Sequence, residues 1–229
     1  MRFGIGVIGV GVMGGTHART IHGQTVGAHV AAVYDADQKR AKAIAAEVGA
    51  AAVFTDPLQL IASEAVDAIV VASPDETHFE YVMTCLEGSK PVLCEKPLAA
   101  TVEQCRRIVD AEARGSRPLI QLGFMRRFDP AYSAMKSGFD GGTIGSALLL
   151  RCIHRNARAP AFFQSQMSIT NAMVHEFDVC RWLLGSEIRR ISVVSGRRAA
   201  VSDFADPLLA TLLMTSGQMV SIEVFMNAR

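Results

Sequence analysis

The stretch "GVIGVGVMGGTHA", residues 6–18, decides how the rest of the chain is read. A short apolar run leads directly into Gly9-x-Gly11-x-x-Gly14 and then into a segment that can be helical. At a strand-to-helix turn these glycines allow a tight bend, let backbone N–H groups approach a pyrophosphate and let the helix pack on the strand. The helix N-terminus, with the amides of Val12 and Met13 in its first turn, then favours phosphate charge. Glycines also occupy such turns for packing alone, so the surroundings matter. In "VAAVYDAD", residues 30–37, a second apolar run ends in Asp35, 21 residues after Gly14. An acid at that distance accepts hydrogen bonds from the adenosine ribose and repels a 2′-phosphate. The spacing predicts a dinucleotide fold that prefers NAD to NADP. Asp35 could also cap the helix that follows it.

Outward from this loop, short apolar runs alternate with helical segments. Strands are expected at 3–8, 29–34, 68–72, 92–94 and 119–122, and helices near 12–22, 37–48, 57–63, 75–88 and 101–114. Thr101 followed by Gln104 is a capping-box pattern for the last helix. Continuous apolar strands between helices indicate a parallel sheet covered on both faces. After a stretch rich in Gly, residues 123–145, the pattern changes to longer strands at 146–155, 188–196, 207–214 and 218–225, with one strong helix at 171–184. The fold class is therefore α/β, with a Rossmann dinucleotide-binding domain over residues 1–123. A substrate-binding and oligomerisation domain over 124–229 is α+β, with a large, mainly antiparallel sheet.

Composition narrows the function. The 229 residues carry 23 Lys+Arg against 22 Asp+Glu, with no basic block to attract nucleic acid or an anionic membrane. Five cysteines without a C-x-x-C pair fit reduced thiols and a cytoplasmic location rather than a disulfide framework or zinc site. The apolar start has five glycines in the last ten residues of "MRFGIGVIGVGVMGG", unlike a signal peptide. No cluster has metal-ligand spacing, so hydride transfer without a metal is expected.

Two more strand ends fall at the carboxyl edge of the expected sheet, "ASPDETHF" (72–79) and "VLCEKPLA" (92–99). With the glycine loop read as "GxGxxGxxH" and with "EKP" at this depth, the chain resembles the Gfo/Idh/MocA oxidoreductases. "GFMRRFDPAY" (123–132), "HRNA" (154–157) and "HEFDVCRWLLG" (175–185) are similar to the inositol 2-dehydrogenases of that family, and the likeness extends over essentially the whole chain. The resemblance implies NAD-dependent oxidation of a cyclitol, myo-inositol or a close relative, to the ketone. A related sugar dehydrogenase and a non-catalytic NAD(P)-binding paralogue are the alternatives.

Pro97 biases Lys96 away from helical backbone, so its side chain is aimed rather than free. The resemblance places Lys96 beside the nicotinamide and the reacting hydroxyl, with Glu95 holding it and Ser73 and Pro74 bounding the cofactor pocket. It also implies substrate contacts from Arg126, His154 and Asn156, and a homo-oligomer, a tetramer by analogy. Cys152, His154 and Asn156 share one strand face by alternation.

Read as a regular helix, "ITNAMVHEFDVCRWLLG" (169–185) puts Asn171, His175, Asp178 and Trp182 on one face and Met173, Phe177, Cys180 and Leu184 nearly opposite. The polar face is expected to point into the cleft between the domains, with His175 near Lys96 as the base that takes the alcohol proton. Two features depart from the family. Asn171 stands where relatives carry aspartate, and relatives continue past the equivalent of Arg229, which implies an incomplete C-terminal domain.

Overall fold

A six-stranded sheet forms from β1 (Phe3–Ile8), β2 (Ala28–Tyr34), β3 (Ala52–Phe54), β4 (Ala68–Val71), β5 (Val92–Cys94) and β6 (Ile120–Leu122) in the computed structural model, which describes residues 2–198 and 202–228. Its strand order is β3-β2-β1-β4-β5-β6, and every pairing is parallel. The order reverses between β1 and β4, which opens a crevice at their carboxyl ends. Gly9 follows one of those strands and Ser73 the other.

Five helices cross between the strands: α1 (Val12–Gln24), α2 (Gln38–Val48), α3 (Pro57–Ala62), α4 (Asp75–Glu87) and α5 (Val102–Ala113). Their starts follow from capping chemistry. The Asp37, Asp56 and Thr101 side chains accept hydrogen bonds from amides of the first turns of α2, α3 and α5. The cap of α2 is thus Asp37 and not Asp35, which corrects one of the two roles expected for Asp35. Two apolar layers flank the sheet, one built on Ile8, Leu60, Ile69, Val82 and Ile108, the other on Val7, Val30, Ala41 and Ile44.

The chain divides into two compact units at Gly123/Phe124. In the second unit, β7 (Leu149–Arg155), β8 (Ile188–Ser195), β9 (Leu208–Met214) and β10 (Met219–Phe225) form a sheet in the order β7-β10-β9-β8. Two of its pairings are antiparallel, and β7 runs parallel to β10. The helices α6 (Pro130–Asp140) and α7 (Val174–Leu184) belong to the same unit. Alternation in β9, with Leu208, Ala210, Leu212 and Met214 buried, sends one face into a core shared with Met173, Val179, Cys180 and Leu183.

The helix expected at 171–184 begins differently. Residues Ser168–Met173 form a π-helical turn that passes into α7. A π turn bonds i to i+5 and shifts the phase of the side chains around the axis. The expected two-faced helix is corrected accordingly: His175, Glu176, Asp178, Val179, Cys180 and Leu183 are all buried, so α7 is enclosed on both its apolar and its polar sides.

Candidate active site

In the first unit the glycine loop meets the demands of an anion cradle. Gly9 has φ +82°, and a Cβ there would lie 2.6 Å from the Ser73 backbone. A Cβ on Gly14 would fall 1.7 Å from the Gly9 carbonyl oxygen. Gly11, by contrast, faces open space and caps α1 without a side-chain hydrogen bond. The Val12, Met13 and Gly14 amides lie at the start of this 13-residue helix, where unpaired backbone N–H groups favour an anion. A cavity of about 420 Å³ beside it is lined by Gly9, Gly11, Asp35, Arg40, Ser73 and Pro74, among others.

Asp35 is 6% exposed at the end of β2. It accepts from Val10 N–H at 2.9 Å and Asp37 N–H at 2.8 Å, and holds Arg40 by both carboxylate oxygens at 3.0 and 3.2 Å. Burial pushes its carboxyl up, but the Arg40 and backbone hydrogen bonds outweigh burial and hold it below the ordinary value. Arg40 was missed in the sequence reading. It sits five residues beyond Asp35 in the first turn of α2, a spacing that could have suggested the pair. Ser73 Oγ lies 2.6 Å from Thr77 Oγ1, which also donates to the Pro74 carbonyl at 2.8 Å, so the turn before α4 is braced by its own hydroxyls.

Lys96 follows β5 directly, and the Lys96–Pro97 bond is cis. Burial holds the Lys96 ammonium below its ordinary value, against the opposing pull of Asp75 and Glu95. Glu95 takes a 2.8 Å hydrogen bond from His17 Nε2. Burial raises the Glu95 carboxyl, but His17 and the Lys96 amide more than offset this and leave it lowered. An ionised carboxylate only accepts, so the Nε2 of His17 carries the proton. His17 was quoted within the glycine motif but not recognised as a partner of Glu95.

The second unit collects its polar residues on α7 and on the covered face of β7. Glu176, 1% exposed, accepts from Arg126 Nη1 at 2.6 Å and contacts His154 Nδ1 at 3.1 Å through the same oxygen, Oε1. Burial raises the Glu176 carboxyl; His154 and Arg126 outweigh that and lower it. Two of the three expected substrate contacts are therefore joined through a carboxylate that the sequence reading had not singled out. Asn156, just beyond β7, stands apart: its side-chain amide meets Met226 Sδ at 3.5 Å, and its N–H donates to the Phe225 carbonyl. His175 is 8% exposed, and its ring meets that of Phe124 edge-on at 6.4 Å between centroids. Asn171 lies half-buried in the π turn. Asp178, expected on the polar stripe, is instead clasped by Arg127 at 2.9 and 2.5 Å. Among the described residues no group of His, Cys, Asp and Glu could hold a metal ion, and no helix is long and apolar enough to cross a membrane.

Residues 3–124 match the Gfo/Idh/MocA oxidoreductase family, NAD-binding Rossmann fold, and residues 132–229 match the family's C-terminal domain. The chain belongs to this family. It is an NAD-dependent oxidoreductase, and the loop geometry above fits that cofactor: open space at Gly11, an uncapped helix start and an acid at the end of β2. Gly9, Gly11 and Gly14 would cradle the pyrophosphate. When bound, NAD supplies the hydride acceptor.

Among solved structures, the chain superposes on the myo-inositol dehydrogenase from Lactobacillus casei in complex with NAD(H) and myo-inositol with a TM-score of 0.94 and 36% identity. That match covers 100% of this chain and 68% of the other. Inositol 2-dehydrogenase 1 of Saccharopolyspora erythraea is 53% identical, over 98% of this chain and 68% of its own length. Inositol 2-dehydrogenase of Mycolicibacterium gilvum is 42% identical over 97% of this chain and 64% of its own.

Proposed function

We propose that this dehydrogenase oxidises one secondary alcohol of a cyclitol, myo-inositol or a close relative, to the ketone. In this reading Lys96 hydrogen-bonds the reacting hydroxyl, and the neutral imidazole of His175 accepts its proton as the hydride leaves for the nicotinamide. The observation that carries the reaction is Lys96 itself. A lysine at the carboxyl edge of a nucleotide-binding sheet, its ammonium lowered by burial, is suited to sharing a proton with an alcohol. The identity to inositol 2-dehydrogenases supports the substrate class.

The remaining assignments follow from the same reading. Gly9, Gly11, Val12, Met13, Gly14, Asp35, Ser73, Pro74 and Glu95 would serve the cofactor or its neighbour Lys96. Arg126, His154 and Asn156 would meet the substrate hydroxyls, with Glu176 holding the first two in place. A polyol ring needs donors and acceptors from several directions, and an Arg, a His and an Asn offer both kinds. Asn171 would tune His175 without supplying charge. Residues 1–123 would bind cofactor and 124–229 substrate, in a cytoplasmic homo-oligomer, a tetramer by family analogy. The test is a panel of inositol isomers and hexoses assayed at saturating NAD, with NADH absorbance as the readout. Turnover confined to cyclitols is the expected result; a preference for hexoses, or no turnover with any polyol, would overturn it.

A further inference from the structure

Lys96 is flanked by two residues that are each held by a histidine from a different helix. On one side is Glu95, whose Oε1 takes the proton of His17 Nε2 at 2.8 Å; the two side chains are 15% and 27% exposed. The same carboxylate accepts the Lys96 amide. Gly123 closes the socket, since a Cβ there would stand 3.0 Å from Glu95 Oε2 and 3.2 Å from Glu95 Cα. On the other side is Pro97, whose carbonyl oxygen lies 2.7 Å from Nδ1 of His78. His78 is 1% exposed, and its Nε2 reaches the Ser73 carbonyl at 2.9 Å.

His17 rises from α1, which begins at the glycine loop, and His78 from α4, which begins at the Ser73–Pro74 turn. We propose that His17 and His78 are positioning residues that brace the Glu95-Lys96-Pro97 turn from both sides, so that the two loops lining the nucleotide cavity fix where Lys96 points. This rests on the role given to Lys96 above. Neither histidine touches the reacting atoms; each acts through the backbone or side chain next to the lysine. The effect matters because a reacting group displaced by about 1 Å can lose roughly a hundredfold in rate. A stability role alone would loosen the whole helix that carries the histidine, whereas a brace loosens the turn it holds.

The variant to make is His17→Ala, because His17 is partly exposed and its loss leaves the cores intact, while His78→Ala removes a fully buried side chain. His17→Gln keeps a donor near the Nε2 position and serves as the rescue. Amide hydrogen exchange of the apo protein is read first. His17→Ala should speed exchange at 95–98 at least about tenfold with α1 unchanged, and His17→Gln should restore it. With NAD and the cyclitol, kcat should fall about ten- to a hundredfold in His17→Ala with NAD affinity held, and recover in His17→Gln. Unchanged exchange at 95–98, equal loosening along α1, a loss of NAD affinity as large as the loss in kcat, or full kcat in His17→Ala would each overturn the brace. Lys96→Ala is run alongside. If it retains turnover, the reading of Lys96 fails by itself, and the exchange data still decide whether the turn is braced.

Discussion

At the residue scale, Asp35 shows how one side chain serves two ends. Its carboxylate is filled by two amides and by Arg40, so it stands in the nucleotide cavity beside a cation that it neutralises. Replacing it with Ser removes the repulsion of a 2′-phosphate and releases Arg40 to meet one. Asp35→Ser should therefore raise kcat/KM with NADP and lower it with NAD; unchanged discrimination would remove Asp35 from cofactor choice.

Glu176 gives a second residue-scale expectation. Its carboxyl is lowered from the ordinary 4.5, so the stability it contributes is present above that pH and is lost as pH falls through the lower folded value. Urea midpoints followed from neutral pH downward should show the wild type losing stability below about 4.5, with a shallower loss in Glu176→Gln. Identical slopes would mean the Arg126 and His154 pairing has no net effect. None of this was legible in sequence, because Arg126, His154 and Glu176 are far apart in the chain and only the fold brings them to one oxygen. Glycine spacing, the acid after β2 and the lysine before proline were legible, because their chemistry is local.

At the element scale, strands and helices of the first unit followed from apolar runs and caps. One miss was β3, three half-buried apolar residues at the sheet edge, too short to show a period. Also missed were α6 (Pro130–Asp140), which lies inside the stretch read as a boundary, and the π turn at Ser168–Met173, which no hydrophobic spacing announces because its extra residue changes phase without changing composition. That turn carries Asn171, and α7 carries His175. If His175 takes the proton, a carboxylate one turn earlier would stabilise its developing charge more than the neutral amide of Asn171 does, and Asn171→Asp should supply one. Turnover should rise about tenfold, roughly 1.4 kcal/mol of barrier. His175→Ala should lower it further and make residue 171 irrelevant, since coupled residues are not additive. A fall in Asn171→Asp with a harmless His175→Ala would mark the polar residues of this helix as structural.

At the scale of the whole molecule, the second unit has one covered sheet face and one open face. Val194, Leu209 and Ile153 are exposed in one row across β8, β9 and β7, with Glu223 of β10 between the last two and ion-paired to Arg151 and Arg155, and Leu149 and Met219 are paired in another row. Exposed aliphatic side chains around a charged cluster are the composition of an interaction surface. Pairing of copies through it is the proposed basis of the oligomer. Sedimentation should give an oligomer at micromolar concentration, and Leu209→Lys should shift it toward monomer; a monomeric wild type would end the proposal.

The central claim is that Lys96 works on the substrate and not on the cofactor. The most direct measurement is Lys96→Ala, with NAD binding followed by calorimetry and turnover of myo-inositol followed as NADH. The account predicts NAD affinity close to that of the wild type and turnover reduced by about a hundredfold or more. Wild-type turnover, or a loss of NAD binding that accounts for all of the lost rate, would contradict it.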